Sequence, residues 1–353
     1  MGFKETMAVE KGNIEREISA FFERERAACP SRPEFQTMLD ALEEFTQRGG
    51  KRIRSVLLLM GYLSAGGDEL DKARRAAVSM ELVQDLMLIH DDLIDSSPER
   101  RGRPSFHMVY EGMHEKNGYR GDPSEFGRNM ALIGGDLAES LANRALLSSG
   151  FPPKRLRDAM SCQACMVRDT GLGQLLDVMS QAAPGWTEEM VLMVHRYKTA
   201  RYTFEGPLHI GAHLAGAKAR QLRALSEYAI PVGTAFQITD DIIGFFGDPK
   251  RGGASDISDI REGKRTMLIV KALEVCEGKE RAEIESALSN KALSVKEAER
   301  IRGIVRSSGS VDYSKMMADE LTREGIKALD GPHLSEVATR FLRDLALHLN
   351  DRA

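Results

Sequence analysis

The sequence predicts an all-α protein, and three observations carry that prediction. Apolar residues recur at helical spacing through almost all of the 353 residues. Alternating strand patterns are nearly absent. Aromatic residues make up only 6% of the chain, while the helix formers Leu, Ala, Met, Glu and Arg are abundant. In chain order, the periodicity predicts helices over 11–28, 52–65, 72–95, 129–149, 154–181, 187–217 and 218–245. Shorter ones follow over 264–277, 279–290, 294–309, 311–329 and 332–349. Breaks fall at Gly49-Gly50, Gly66-Gly67, 150–153, Pro184-Gly185 and 247–253. The stretches 96–128 and 245–263 read as longer loops. No Pro- or Ser-rich linker or repeat divides the chain. Residues 1–353 therefore read as one large domain, with 1–30 as an N-terminal helix or extension.

Composition removes several function classes. With 32 Gly and 12 Pro, usage is ordinary and argues against collagen-like or disordered chains. A net charge of −4 gives no global basic field for nucleic acid. The four cysteines (Cys29, Cys162, Cys165, Cys276) are too few and scattered for a disulfide framework. The N-terminus has no apolar signal core, and runs such as 56–60 fall far short of the roughly 20 residues of a membrane span. These features predict a reduced, soluble, cytoplasmic protein without a membrane span.

The sharpest signal is Asp91-Asp92-Leu93-Ile94-Asp95 at the C-terminal end of an apolar helix. Asp91 and Asp95, at i and i+4, share a face with Asp92 at their flank. Like charges there repel, and carboxylates at a helix C-terminus oppose the macrodipole. Something cationic must compensate. Mg²⁺ takes one or two carboxylates plus phosphate oxygens; a solvated acidic helix end is the plain alternative for one such string. A second pair, Asp240-Asp241, closes another apolar helix and is followed by Ile242-Ile243-Gly244. Facing each other across a bundle, the two ends would form a carboxylate cage for metal-bound phosphate.

Basic clusters alternate with these acids. Gly49-Gly50-Lys51-Arg52-Ile53-Arg54 opens a helix, placing Lys51 and Arg54 at i, i+3 beside amides that attract anions. It is not a Walker A loop, since Phe45 stands where the first Gly is needed. Arg100-Arg101 follow the first acidic motif, Lys198-Thr199 sit within a predicted helix, and Lys264 follows the second motif's loop. Each alone also reads as a surface charge; as a set they suit phosphate binding. Cys162-x-x-Cys165 lacks a second pair for zinc, and His209/His213 do not form HExxH, because Ile210 occupies the Glu position. His90 reads equally well as a base or a packing residue, and the 17 Met residues as core filler.

Together these motifs resemble the trans-isoprenyl diphosphate synthases of the polyprenyl synthetase family. The resemblance runs from Gly49 to Thr266 through GGKRIR, ELVQDLMLIHDDLIDSSPERRGRP, GGD (134–136), GQLLD (173–177), YKTARYTFEGPL and FQITDDIIGFFGDP…SDIREGKRT. It implies an all-α isoprenoid-synthase bundle around a central cavity, usually homodimeric, joining isopentenyl diphosphate to an allylic diphosphate. Asp91, Asp92 and Asp95 match the family's first aspartate-rich motif, and Asp240 and Asp241 its second; both would bind Mg²⁺. Arg100, Lys198 and Lys264 would clamp the allylic diphosphate. Lys51, Arg54 and Arg101, with Gln84, would hold isopentenyl diphosphate. Thr199, Gln237 and Asp177 match positions that line and support the site. Gly244 departs from the family pattern by replacing a third Asp, which leaves one ligand fewer.

Farnesyl-type members commonly stop the chain with an aromatic residue about one turn before the first motif. Here Leu86 and Met87 stand there, which predicts a deeper pocket towards Val83 and a geranylgeranyl (C20) product. A farnesyl product or one of C25–C35 is the alternative; a class I terpene cyclase or a non-catalytic regulatory subunit are further ones.

Overall fold

The computed structural model describes residues 2–183, 185–247, 257–331 and 333–352. Pro184 of the predicted break, and most of the stretch 247–253 within the predicted loop 245–263, lie outside the described residues. The described chain is helical apart from one two-stranded ribbon. It divides into two compact units, Met1–Ser161 with Ile210–Ala217, and Cys162–His209 with Lys218–Ala353.

The first unit is built on α1 (Phe3–Ala28), α2 (Pro33–Gln47), α3 (Ile53–Ser64) and α4 (Leu70–Ile94). α4 is its central helix, with Ala76, Ala77, Leu82, Val83 and Ile89 all wholly buried. Such all-round burial explains why its sequence reads as one long apolar helix. α5 (Phe106–Asn117) and α6 (Pro123–Leu147) follow, with Pro123 in the first turn of α6. The Asp122 side chain accepts from the Glu125 N–H at 2.8 Å and caps that helix. α6 lies against α4 and α5, and two glycines of the GGD segment permit the approach. A Cβ on Gly135 would come within 2.2 Å of His90 Nε2, and one on Gly134 within 2.5 Å of the Phe106 ring.

Three differences from the predicted elements appear in this unit. The helix over 33–47 was not predicted, although Met38, Leu42 and Phe45 form its buried face. The segment 96–128 is not a loop. It holds the ribbon Glu99–Arg100 paired with Arg103–Pro104, then α5, whose Phe106, Tyr110 and His114 form one buried stripe. Finally, α3 begins at Ile53 after Arg52 with φ of 54°, so Lys51 lies outside the helix and shares no helical face with Arg54.

The second unit contains residues 162–182 of α7 (Pro153–Ala182), α8 (Glu188–Val194) and α10 (Ala219–Phe246), the last packed against α15 (Ser310–Lys327). Its core gathers Ile238, Ile242, Phe245, Leu268, Ile284 and Val305. α11 (Ser258–Glu262), α12 (Met267–Val275), α13 (Gly278–Ala287), α14 (Val295–Ser307) and α16 (Glu336–Asn350) complete it. The single helix predicted over 187–217 is instead α8, a π-helical stretch His195–Glu205, and α9 (Gly206–Ala215). π-helical turns are rare and often occur at functional sites. Two neighbours fit closely around this one. A Cβ on Gly173 would lie 2.3 Å from Lys198 N, and one on Gly233 would lie 2.6 Å from Ala200 Cα.

Candidate active site

In the first unit, the acidic end of α4 is met by the ribbon that follows it. The ribbon turns through Arg101 (φ 57°) and Gly102 (φ 72°), the two positive φ values of a type I′ hairpin. This turn brings Arg100 back over the helix end. The Asp92 side chain is wholly buried and accepts from Arg100 Nε at 2.9 Å and also from its Nη2. Arg100 Nη2 lies 3.9 Å from Asp91 Oδ2. Burial raises the Asp92 carboxyl above its ordinary range, and the Arg100 hydrogen bond works against that rise. The other oxygen, Oδ2, is buried with no hydrogen-bond partner among the described residues. Asp95 caps α4, its N–H bonded to Asp91 O at 2.9 Å.

Arg101 faces the other way, donating from Nη1 to Gly49 O at 2.6 Å. A Cβ on Gly50 would stand 3.1 Å from its Nη2, so Gly50 leaves room for the guanidinium. Lys51 is exposed and Arg54 and Gln84 are half-buried. Arg52, between the candidates, has a structural role: it is buried, donating to Glu81 Oε2 at 2.7 Å and to Thr46 O at 2.8 Å. Near it lies Asp85, a buried carboxyl that the sequence reading passed over. Burial pushes it up to about 8. The Thr46 hydroxyl contacts both Leu42 O and Asp85 Oδ2 but has only one proton to donate. A protonated Asp85 supplies the second. On the turn before Asp91, Leu86 is buried and Met87 half-buried, with Val83 buried below them.

In the second unit, a cavity of about 180 Å³ is lined by Asp177, Lys198, Thr199, Gln237, Asp240, Asp241 and Lys264. These come from α7, the π stretch, α10 and the segment after α11. Lys198 Nζ donates to Asp177 Oδ2 at 2.6 Å. The Thr199 hydroxyl donates to Gln237 Oε1 at 2.6 Å, and Gln237 Nε2 to Asp241 Oδ1 at 2.7 Å. Asp240 Oδ1 is 2.9 Å from Arg352 Nη2. Lys264 Nζ sits 3.1 Å from Asp259 Oδ1 and 2.8 Å from Glu262 Oε2.

Two residues of this cavity were missed in the sequence. His195 hydrogen-bonds Asp241 Oδ2 at 3.0 Å, across 46 positions that no local pattern links. Asp259 lies beside Gly244, where a Cβ would meet its Oδ2 at 3.0 Å. A carboxylate thus stands next to the position where a third Asp was lacking. Its carboxyl is raised by burial, with Lys264 opposing. The segment SDIREG after a Gly at the motif's fifth position was the available signal. Among the described residues, no three His, Cys, Asp or Glu side chains converge as an all-protein metal cluster.

A family model described as polyprenyl synthetase matches residues 35–305. The chain belongs to that family. This polyprenyl synthetase is a prenyltransferase that condenses isopentenyl diphosphate with an allylic diphosphate to make a prenyl diphosphate. It is 31% identical over 284 residues to a geranylgeranyl diphosphate synthase of Sulfolobus acidocaldarius, covering 80% of each chain. It is 30% identical over 321 residues to a geranylfarnesyl diphosphate synthase of Natronomonas pharaonis, covering 86% of this chain and 87% of the other. A crystal structure of geranylgeranyl pyrophosphate synthase from Corynebacterium glutamicum, complexed with isoprenyl diphosphate and magnesium, matches the synthetase with a TM-score of 0.92. That pair shares 31% identity and covers 100% of both chains.

Proposed function

We propose that this synthetase makes geranylgeranyl diphosphate, using Mg²⁺, with residues 1–353 acting as one domain of a cytoplasmic homodimer. The observation that carries the reading is the second unit's cavity, where Asp240 and Asp241 share one space with Lys198 and Lys264. Such a mixture suits a polyanion that arrives with a divalent cation. The donor set fits Mg²⁺: it is all oxygen, and Asp92 Oδ2 is a buried acceptor with no donor among the described residues. Asp91, Asp92 and Asp95 in the first unit, and Asp240 and Asp241 in the second, would bind Mg²⁺ ions. A bound divalent cation offsets the charge that builds on the departing diphosphate.

The side chains do the remaining work. Lys198, Lys264 and Arg100 grip the allylic diphosphate and stabilise it as the C–O bond breaks. Thr199 and Gln237 fix the Asp241 carboxylate. Lys51, Arg54, Arg101 and Gln84 hold isopentenyl diphosphate so that its double bond is oriented towards the allylic carbon. No aromatic side chain occupies the α4 turn at Leu86 and Met87, and a curated relative named for the C20 product supports that length. Exposed apolar side chains on α6, namely Leu132, Ile133 and Leu137, support self-association. No described helix is long and apolar enough to cross a membrane.

The test is condensation of isopentenyl diphosphate with C5, C10 and C15 starters in the presence of Mg²⁺, with the products sized. A C20 main product is expected, shortened by Leu86→Phe. A dominant C15 product would sink the product assignment. Asp91→Ala should lower turnover by about 100-fold or more; unchanged turnover would remove the first motif from the site.

A further inference from the structure

His195, only 4% exposed, opens the π stretch and lines the cavity beside Asp241. Its Nε2 contacts Asp241 Oδ2 at 3.0 Å, while Gln237 Nε2 holds Oδ1 at 2.7 Å. Both oxygens of that carboxylate therefore have a protein donor. A carboxylate held at both oxygens has little freedom to rotate. Neither donor is a permanent cation, so the carboxylate is oriented without being committed to an ion pair. The other ring nitrogen, Nδ1, is buried with no hydrogen-bond partner among the described residues. Thr266 Oγ1, another group lining the cavity, is likewise buried and unpartnered there. A buried polar group without a protein partner is rare and calls for a water, an ion or a ligand to complete it.

We infer that His195 is a positioning residue that sets the Asp241 carboxylate through Nε2–H for binding the divalent cation of the diphosphate substrate. The inference rests on the reading of Asp241 as a metal ligand. Groups that orient a metal's ligands act through the hydrogen bond they donate, and losing one costs about 10- to 100-fold in metal affinity or activity. Imidazole suits the place because it is rigid. Its Nε2 reaches the carboxylate from the π stretch while Nδ1 stays available to the contents of the cavity.

The test compares His195→Gln, His195→Asn, His195→Leu and Asp241→Asn in the full-length protein. The probe is Mn²⁺ binding in the presence of inorganic pyrophosphate, followed by the electron paramagnetic resonance of free Mn²⁺, with no turnover needed. Gln can place its amide nitrogen where Nε2 stood, whereas Asn reaches only the Nδ1 position. Gln should therefore bind Mn²⁺ within about threefold of the parent, with Asn and Leu weaker by about 10- to 100-fold. The Mg²⁺ concentration for half-maximal rate should rise in parallel, while KM for isopentenyl diphosphate stays unchanged. Urea midpoints identify any variant that fails to fold, and the Gln/Asn contrast decides the matter if Leu does. If Asp241→Asn weakens binding and Leu does not, the role of His195 is overturned. Equal loss in Gln and Asn overturns it as well. If Asp241→Asn itself binds normally, the metal reading of the second motif fails instead.

Discussion

The two acidic helix ends share a sequence design and differ in how their charge is compensated. At the end of α4, a permanent cation folds back on the motif: Arg100 pairs with the buried Asp92. The second pair does not close its helix, since α10 continues to Phe246; there an imidazole and an amide hold Asp241, and the Arg352 guanidinium stands on Asp240. A buried ion pair is costly to break on one side only, because the remaining charge stays buried. Removing the Gln237 amide takes one hydrogen bond from Asp241 and leaves no cation unpaired. The first end is therefore part of the fold's stability, and the second is adjustable with little cost to it.

This contrast can be broken by substitution. Arg100→Ala should lower unfolding stability by about 3 kcal/mol or more at pH 7, since Asp92 is left buried without its partner. Asp92→Asn should cost less, because Arg100 is partly exposed and can turn to water. Equal losses in urea denaturation would show that the pair is not asymmetric. At the other end, Gln237→Leu should cost only about 1 kcal/mol in the same assay while raising the cation concentration that activity requires. A loss as large as that of Arg100→Ala would erase the distinction between the ends.

α4 also buries a second carboxyl, at Asp85. Its folded value is raised to about 8 from an ordinary 3.8. The stability it contributes is therefore complete below about pH 4 and is lost as pH rises through about 8. The native protein should lose up to about 1.4 kcal/mol per pH unit across that window from this group. Asp85→Asn, which mimics the protonated form, should flatten the slope. An unchanged slope in urea titrations from pH 5 to 8 would place the proton elsewhere.

Most of the fold was legible because its helices are long and regularly patterned; α4 and α10 were read to within two residues at each end. The missed α2 has a clear buried face at Met38, Leu42 and Phe45, hidden among Glu, Gln and Thr. α5 was lost in a stretch of Gly, His and Lys, although Phe106, Tyr110 and His114 repeat every four residues. The π stretch was illegible for a different reason. A pattern tested at 3.6 residues per turn cannot report a helix wound more loosely. At the candidate site, the residues that stand in recurring acidic and basic motifs were legible. Asp259, Asp85 and His195 were not, because their roles arise from burial and from partners distant in sequence.

The loose winding of 195–205 also makes this part of the protein sensitive to residue number. A π-helical segment closes its hydrogen bonds five residues apart, so removing one residue lets the backbone settle into the commoner four-residue ladder. Such a deletion would keep a helix, and even a sound one, while rotating His195, Lys198 and Thr199 away from one another. Here the count itself is information, and a shorter chain with every named side chain intact would still have lost the site.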